Sequence, residues 1–205
     1  NPDKIQRLAS WMDAHGIKYG HPSAGKATRG FDYTSQATQS FNVSTEDIVI
    51  NIFQPKSRFI TTLFEPQSKL PDSVTYDITA WNLMYAYGLK GYALNERINP
   101  GKNYVAKEAA NTPVNQKPYA YIFRYQSLAD VEFLCALMNN GVKVRSSLKP
   151  FKVNGESFDA GSLVVTQRNN EGIPNFDQLV QSLARAKNRK WFAASTGFVD
   201  SGKDF

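Results

Sequence analysis

The chain has 205 residues, a formal net charge of +6 and a composition of 41% hydrophobic, 13% aromatic and 20% charged residues. Apolar area on that scale offsets chain entropy and excludes a disordered chain, and the single cysteine, Cys135, excludes a disulfide framework. No apolar run reaches the roughly 20 residues a membrane-spanning helix needs, and the length predicts one domain over 1–205.

In chain order, the first predicted element is a helix. Asn1 caps, Pro2 suits the first helical position, and Gly16 stops it, with Ile5, Leu8, Trp11 and Met12 on one face. With Asn1 in place of an initiating Met and no leader pattern, the chain reads as a piece trimmed from something longer. The segment 1–45 is otherwise irregular and polar, with short strands at Ile17–Tyr19 and near Phe41. Ile48–Phe53 reads as a buried strand ended by Gln54-Pro55. A helix follows over Arg58–Phe64, with Phe59, Ile60, Leu63 and Phe64 apolar. Asp77 then caps a helix carrying Trp81, Met84, Tyr85 and Tyr87, closed by Gly88.

Leu89–Leu94 is a short strand, and 95–117 an exposed excursion or edge hairpin. Tyr119–Phe123 is a strand. Ser127 with Asp130 forms a capping box for a helix whose buried stripe is Leu128, Val131, Leu134, Cys135 and Met138. Val142–Val144 follows as a strand. Strands at Phe151–Val153 and Ser162–Val165 flank the hairpin signal Asn154-Gly155. A last helix spans about Asn175 to Arg189, with Phe176, Leu179, Val180 and Leu183 inward, and Trp191–Ala194 closes the chain as a strand. Alternating strands and helices, with continuous apolar strands, predict an α/β layered domain around a mostly parallel sheet. The central sheet is expected to hold Ile48–Phe53, Tyr119–Phe123 and Val142–Val144.

The chemistry-bearing residues exclude more than they indicate. His15 and His21 are the only histidines, with no HxxE or HExxH spacing, so no zinc site and no cofactor are expected. No GxSxG, GxxxxGK[ST] or GxGxxG occurs. Cys135 falls mid-helix on an apolar stripe and reads as a buried core thiol. The basic cluster Arg185, Lys187, Arg189 and Lys190 suits a solvated helix end; a polyanion site is the other reading. Ligands of open α/β sheets bind outside the strand carboxyl ends. Gln54, Glu65, Tyr76, Asp77 and Trp81 are the residues placed to line such a crevice, as weak ligand-binding candidates. The alternative makes Asp77 an N-cap and Trp81 a core residue.

Three stretches carry a family resemblance: IFQPKSRFITTLFEP (Ile52–Pro66), LPDSVTYDITAWNLMYAYGLKGY (Leu70–Tyr92) and FDAGSLVVTQRN (Phe158–Asn169). With the ending ASTGFVDSGKDF, they resemble the region after the peptidase domain in bacterial, Bacteroidetes-type zinc carboxypeptidase-like proteins. The resemblance implies a class I glutamine amidotransferase-like domain with a flavodoxin-like three-layer sandwich. That family's active members carry a GxCxG-like elbow and a His-x-Glu pair, which this sequence lacks, so no catalytic residue carries over. The expected role is a non-catalytic accessory domain of a secreted or periplasmic parent, with the parent's peptidase domain as partner and a small polar ligand or glycan as a further one. No nucleic acid is expected as a partner. Two alternatives stand beside it. One is a divergent amidotransferase-like hydrolase using Cys135 or an unrecognised site. The other is a carbohydrate- or peptidoglycan-binding module, motivated by 3 Trp, 10 Tyr and the basic balance.

Overall fold

A computed structural model describes residues 2–67, 82–111 and 117–204. Where length alone predicts one domain, the chain gathers into two compact units, Asn1–Ala106 and Lys107–Phe205.

In the first unit, helix α1 (Pro2–Ala14) buries Leu8, Ala9 and Met12. Gly16 takes a left-handed conformation at φ 65° and the Ile17 amide returns to the Met12 carbonyl at 2.9 Å, which ends the helix. Strand β1 (Tyr19–Pro22) lies between β4 (Val49–Ile50) and β6 (Pro100–Lys102), antiparallel to both. Gly20 is required at that crossing, because a Cβ there would overlap the Lys102 carbonyl. The polar stretch that offers only fragments of strand to a sequence reading forms a hairpin, β2 (Lys26–Asp32) with β3 (Ala37–Val43). β5 (Tyr92–Ala93) pairs with the other edge of β2. Helices α2 (Ser57–Leu63) and α3 (Leu83–Tyr87) complete the unit. Its core is Leu8, Met12, Ile17 and Ile60, with Trp11, Ile50, Phe64 and Leu83 packed around them. Each fully buried aliphatic side chain of this kind stabilises by about 1.5–3 kcal/mol.

The second unit is built on a four-stranded sheet. Its order is β12 (Phe192–Ala194), β7 (Ala120–Phe123), β11 (Leu163–Thr166), β8 (Arg145–Ser146). Tyr121, Phe123, Leu163 and Val165 face helices α4 (Leu128–Asn139) and α5 (Phe176–Ala186), which contribute Phe133, Leu137, Phe176, Val180 and Ala184. Ala120, Ile122, Val164 and Ala194 face the other way. They pack against Phe151, Val153 and Phe158 of a second hairpin, β9 (Phe151–Val153) with β10 (Glu156–Phe158). That hairpin turns at Asn154-Gly155, both at positive φ (51° and 77°), as the dipeptide predicts.

The expected flavodoxin-like sandwich with a mostly parallel sheet is therefore incorrect. Every strand pair among the described residues is antiparallel. The uninterrupted apolar runs AYIF and LVVT are buried on both faces. Here a helix pair covers one face and a hairpin the other, so double coverage arises without parallel crossovers. The strands expected together also separate. Val49–Ile50 belongs to the first unit, and Tyr119–Phe123 supplies β7 of the second. Val142–Val144 forms no strand. The Val142 amide closes α4 on Leu137 at 3.0 Å, and Asn170 brackets Lys143, accepting its N–H at 2.7 Å and donating to its carbonyl at 3.1 Å. The segment 95–117 supplies β6 and then runs mostly exposed to Asn111.

Candidate functional site

Gln54 sits just before α2 and Glu65 just after it. The seven-residue helix between them is about 10 Å long. Every polar atom of the Gln54 side chain is engaged with backbone. Nε2 donates to the carbonyls of Lys18 (2.9 Å) and Asn51 (2.6 Å), and Oε1 accepts the Lys18 amide at 2.7 Å. Gln54 is thus a clamp between β1 and the 51–56 loop. Asn51 extends the clamp, accepting the Phe53 amide at 2.8 Å and donating to Asn99 Oδ1 at 2.9 Å. Arg97 also donates to Asn99 Oδ1, at 2.7 Å, and its guanidinium lies 4.7 Å from the centre of the Phe53 ring.

The Glu65 carbonyl accepts a hydrogen bond from Asn82 Nδ2, while Asn82 Oδ1 accepts the Met84 amide at 2.9 Å. Asn82, and not Asp77, is the N-cap of α3. Tyr76, Asp77 and Trp81 lie outside the described residues. The strand-end crevice proposed for all five residues presupposes a parallel sheet, and that premise falls with the fold. Near Glu65, the Tyr33 hydroxyl donates to the Phe64 carbonyl, and its ring meets Tyr85 edge-on at 5.6 Å. Burial, then the Tyr85 phenol, pushes the Tyr33 pKa up to about 12.

Sequence reasoning missed a groove of about 530 Å³ beside β2, lined by Arg29, Gly30, Phe31, Pro66 and Glu96 among others. Glu96 is bound by Lys26 Nζ at 2.6 Å and by the Thr28 hydroxyl, and these hydrogen bonds hold its carboxyl below the usual range. Phe41 stacks on Tyr92 at 3.6 Å between ring centres. No motif marks this groove, because the β2–β3 hairpin meets Pro66 and the Ala93–Glu96 segment from far along the sequence.

In the second unit the main polar cluster joins β7 to α5. Tyr121 Oη donates to Asp177 Oδ1 at 2.8 Å and accepts from Gln181 Nε2 at 2.9 Å. Gln167 Nε2 donates to both Asp177 oxygens, at 2.8 and 2.9 Å. Burial foremost, with the Asp177 carboxylate adding to it, raises the Tyr121 pKa well beyond its ordinary value. The phenol stays protonated at neutral pH and acts as a donor.

The basic cluster is engaged within the unit. Arg185 lies over Trp191 at 5.2 Å, Lys190 over Phe192 at 4.8 Å, Lys187 is 3.7 Å from Glu132, and Arg189 binds Asp130 at 2.9 Å. Arg185, Lys187 and Lys190 are exposed at and just beyond the end of α5, as a solvated helix end predicts, and Arg189 departs from it, buried against Asp130.

The expectation for Cys135 is overturned. It is exposed. The face of α4 that enters the core is Asp130, Phe133 and Leu137, whereas Leu128 is 56%, Val131 36% and Met138 62% exposed. The ion pair between Asp130 and Arg189 sets this rotation. It draws a carboxylate into the interior, and of the expected stripe Leu128, Val131, Cys135 and Met138 turn outward while Leu134 stays partly buried against the core.

Among the described residues no group of three His, Cys, Asp or Glu side chains is placed to hold a metal ion. No helix among them is long and apolar enough to cross a membrane. No family model, no curated protein and no solved structure matches the chain.

Proposed function

We propose that the chain is a non-catalytic accessory region of a larger secreted or periplasmic zinc carboxypeptidase-like protein. It packs on the parent's peptidase domain through the outer face of α4. The observation that carries the docking is that face. A helix apolar on both sides calls for cover on both sides, and α4 has its inner cover in Phe123, Phe176 and Val180. Leu128, Val131, Cys135 and Met138 are left at the surface.

The parent's identity rests on the sequence stretches Ile52–Pro66, Leu70–Tyr92 and Phe158–Asn169, and the amidotransferase-like fold takes no part in it. A non-catalytic role is supported by what the polar side chains do. Gln54 and Asn82 hold backbone, and the Asp177 carboxylate is filled by Tyr121 and Gln167. Cys135 sits mid-helix, and a cysteine nucleophile needs a positioned base. The test mixes the full chain with the separately produced peptidase domain and measures association by analytical ultracentrifugation. Association is expected, and Leu128→Asp with Met138→Asp is expected to abolish it while leaving the circular dichroism spectrum intact. No association of the unaltered chain, or association indifferent to both substitutions, overturns the reading.

A further inference from the structure

The 51–56 loop presents an arrangement that the α4 docking does not use. Ile52 is 46% and Phe53 66% exposed, side by side in sequence. The loop that carries them is held by the side chains of Asn51 and Gln54, which bind the Phe53 amide, the Asn51 carbonyl and both polar backbone atoms of Lys18. Two apolar side chains are therefore fixed in water by hydrogen bonds that leave them no route to the core.

Exposed cations gather on the loop and on the segments bonded to it, with Asp47 and Glu65 flanking it in sequence and Glu96 beside Arg97 held by Lys26 and Thr28. Lys18, Lys56, Arg58 and Arg97 are all exposed, and none of them forms an ion pair among the described residues. From Ile48 to Phe64 the sequence holds Lys56 and Arg58 and no acidic residue. Arg97 stacks on the Phe53 ring at 4.7 Å, so its charge stands beside the apolar tip. Phe59, 39% exposed on α2 and stacked on Trp11 at 5.8 Å, lies six and seven positions along.

We propose that this loop docks the chain on an anionic lipid leaflet, with Ile52 and Phe53 entering the interfacial zone and the cations meeting headgroups. Two adjacent side chains are far below the roughly 800 Å² per partner of a stable protein interface. A fluid leaflet needs no matching pocket. It accepts a short apolar insertion, with nearby Lys and Arg each adding attraction to anionic lipid. Arg97 suits this role, since a stacked guanidinium can remain at headgroup level while the ring descends.

The experiment is vesicle flotation of the full chain. One set of vesicles is phosphatidylcholine alone, and the other is phosphatidylcholine with phosphatidylglycerol. Binding to the anionic vesicles only is expected, weakening as salt rises. Phe53→Ser should lower the affinity about tenfold or more, the effect of withdrawing one large apolar side chain. Arg97→Gln should lower it about fivefold. Phe53 is solvent-exposed, so an unchanged melting temperature in Phe53→Ser separates lost docking from lost folding. Absence of flotation, equal flotation on neutral vesicles, or anionic binding unchanged in Phe53→Ser each overturns the proposal. The α4 substitutions Leu128→Asp and Met138→Asp should leave flotation intact, so the two surfaces are tested independently.

Discussion

Arg189 Nη1 donates to Asp130 Oδ1 at 2.9 Å, and both side chains are buried. The second Asp130 oxygen accepts the amides of Gln126 and Ser127, at 2.9 and 2.8 Å. One carboxylate thus caps α4 and anchors the segment after α5. Removing one member leaves an uncompensated buried charge, which costs about 3–5 kcal/mol. Arg189→Met is expected to lower the stability of the second unit by that amount in urea denaturation. Arg189→Met with Asp130→Leu should recover part of the loss at the ion pair, though not the cap.

Cys135 gives a second expectation. Its thiol should react with a maleimide in the native chain nearly as fast as in the denatured one, because the side chain is exposed. Cys135→Ser should change stability by no more than about 0.5 kcal/mol, the usual range of a surface substitution. Slow native labelling, released by denaturant, would place the thiol inside instead.

What the sequence discloses about α4 shows where pattern reading stops. Its existence, its ends and its Ser127–Asp130 cap are all legible, because these depend on local backbone groups. Its rotation is not. An all-round apolar helix offers no unique buried stripe, and the choice is made by a partner for Asp130 that lies far along the chain. The same limit explains the sheets. AYIF and LVVT announce burial on both faces, but direction is fixed by which segments cover them. The β2–β3 hairpin was concealed by Thr, Ser and Gln on a mostly exposed ladder. Gln54 was legible as a residue worth naming, and wrong as to partner: its amide meets backbone at Lys18 and Asn51.

Alkaline pH should destabilise the first unit. Burial, the hydrogen bond to Asp13 and the Asp13 charge raise the Tyr19 pKa to about 12, matching Tyr33. In the unfolded chain these phenols lose their protons near 10. Between pH 10 and 12 the folded state therefore binds more protons, and stability falls as pH rises through that window. Below pH 10 the contribution is complete. Phenolate absorbance should show native tyrosines titrating late, with Tyr33→Phe removing one of them and flattening the alkaline loss of stability.

Gly20 offers a steric test. Gly20→Ala pushes a methyl group into the Lys102 carbonyl, which is backbone and cannot swing aside. The expected loss is about 1–3 kcal/mol, seen as a lower thermal midpoint. Gly155→Ala, at φ 77° with open space around it, should cost less and through backbone strain alone.

The pairing of β12 with β7 has a consequence for synthesis. Phe192 faces Ile122 and Ala194 faces Ala120, so a strand near the start of the second unit waits for one near its end. The Tyr119 amide likewise depends on the Ala194 carbonyl, at 2.8 Å. A ribosome releases these segments seconds apart. During that interval β7, wholly apolar, has one edge unmatched and aggregation-prone. Chaperone demand should therefore peak while the second unit is being made, and a stall before Trp191 should leave a nascent chain that precipitates on release.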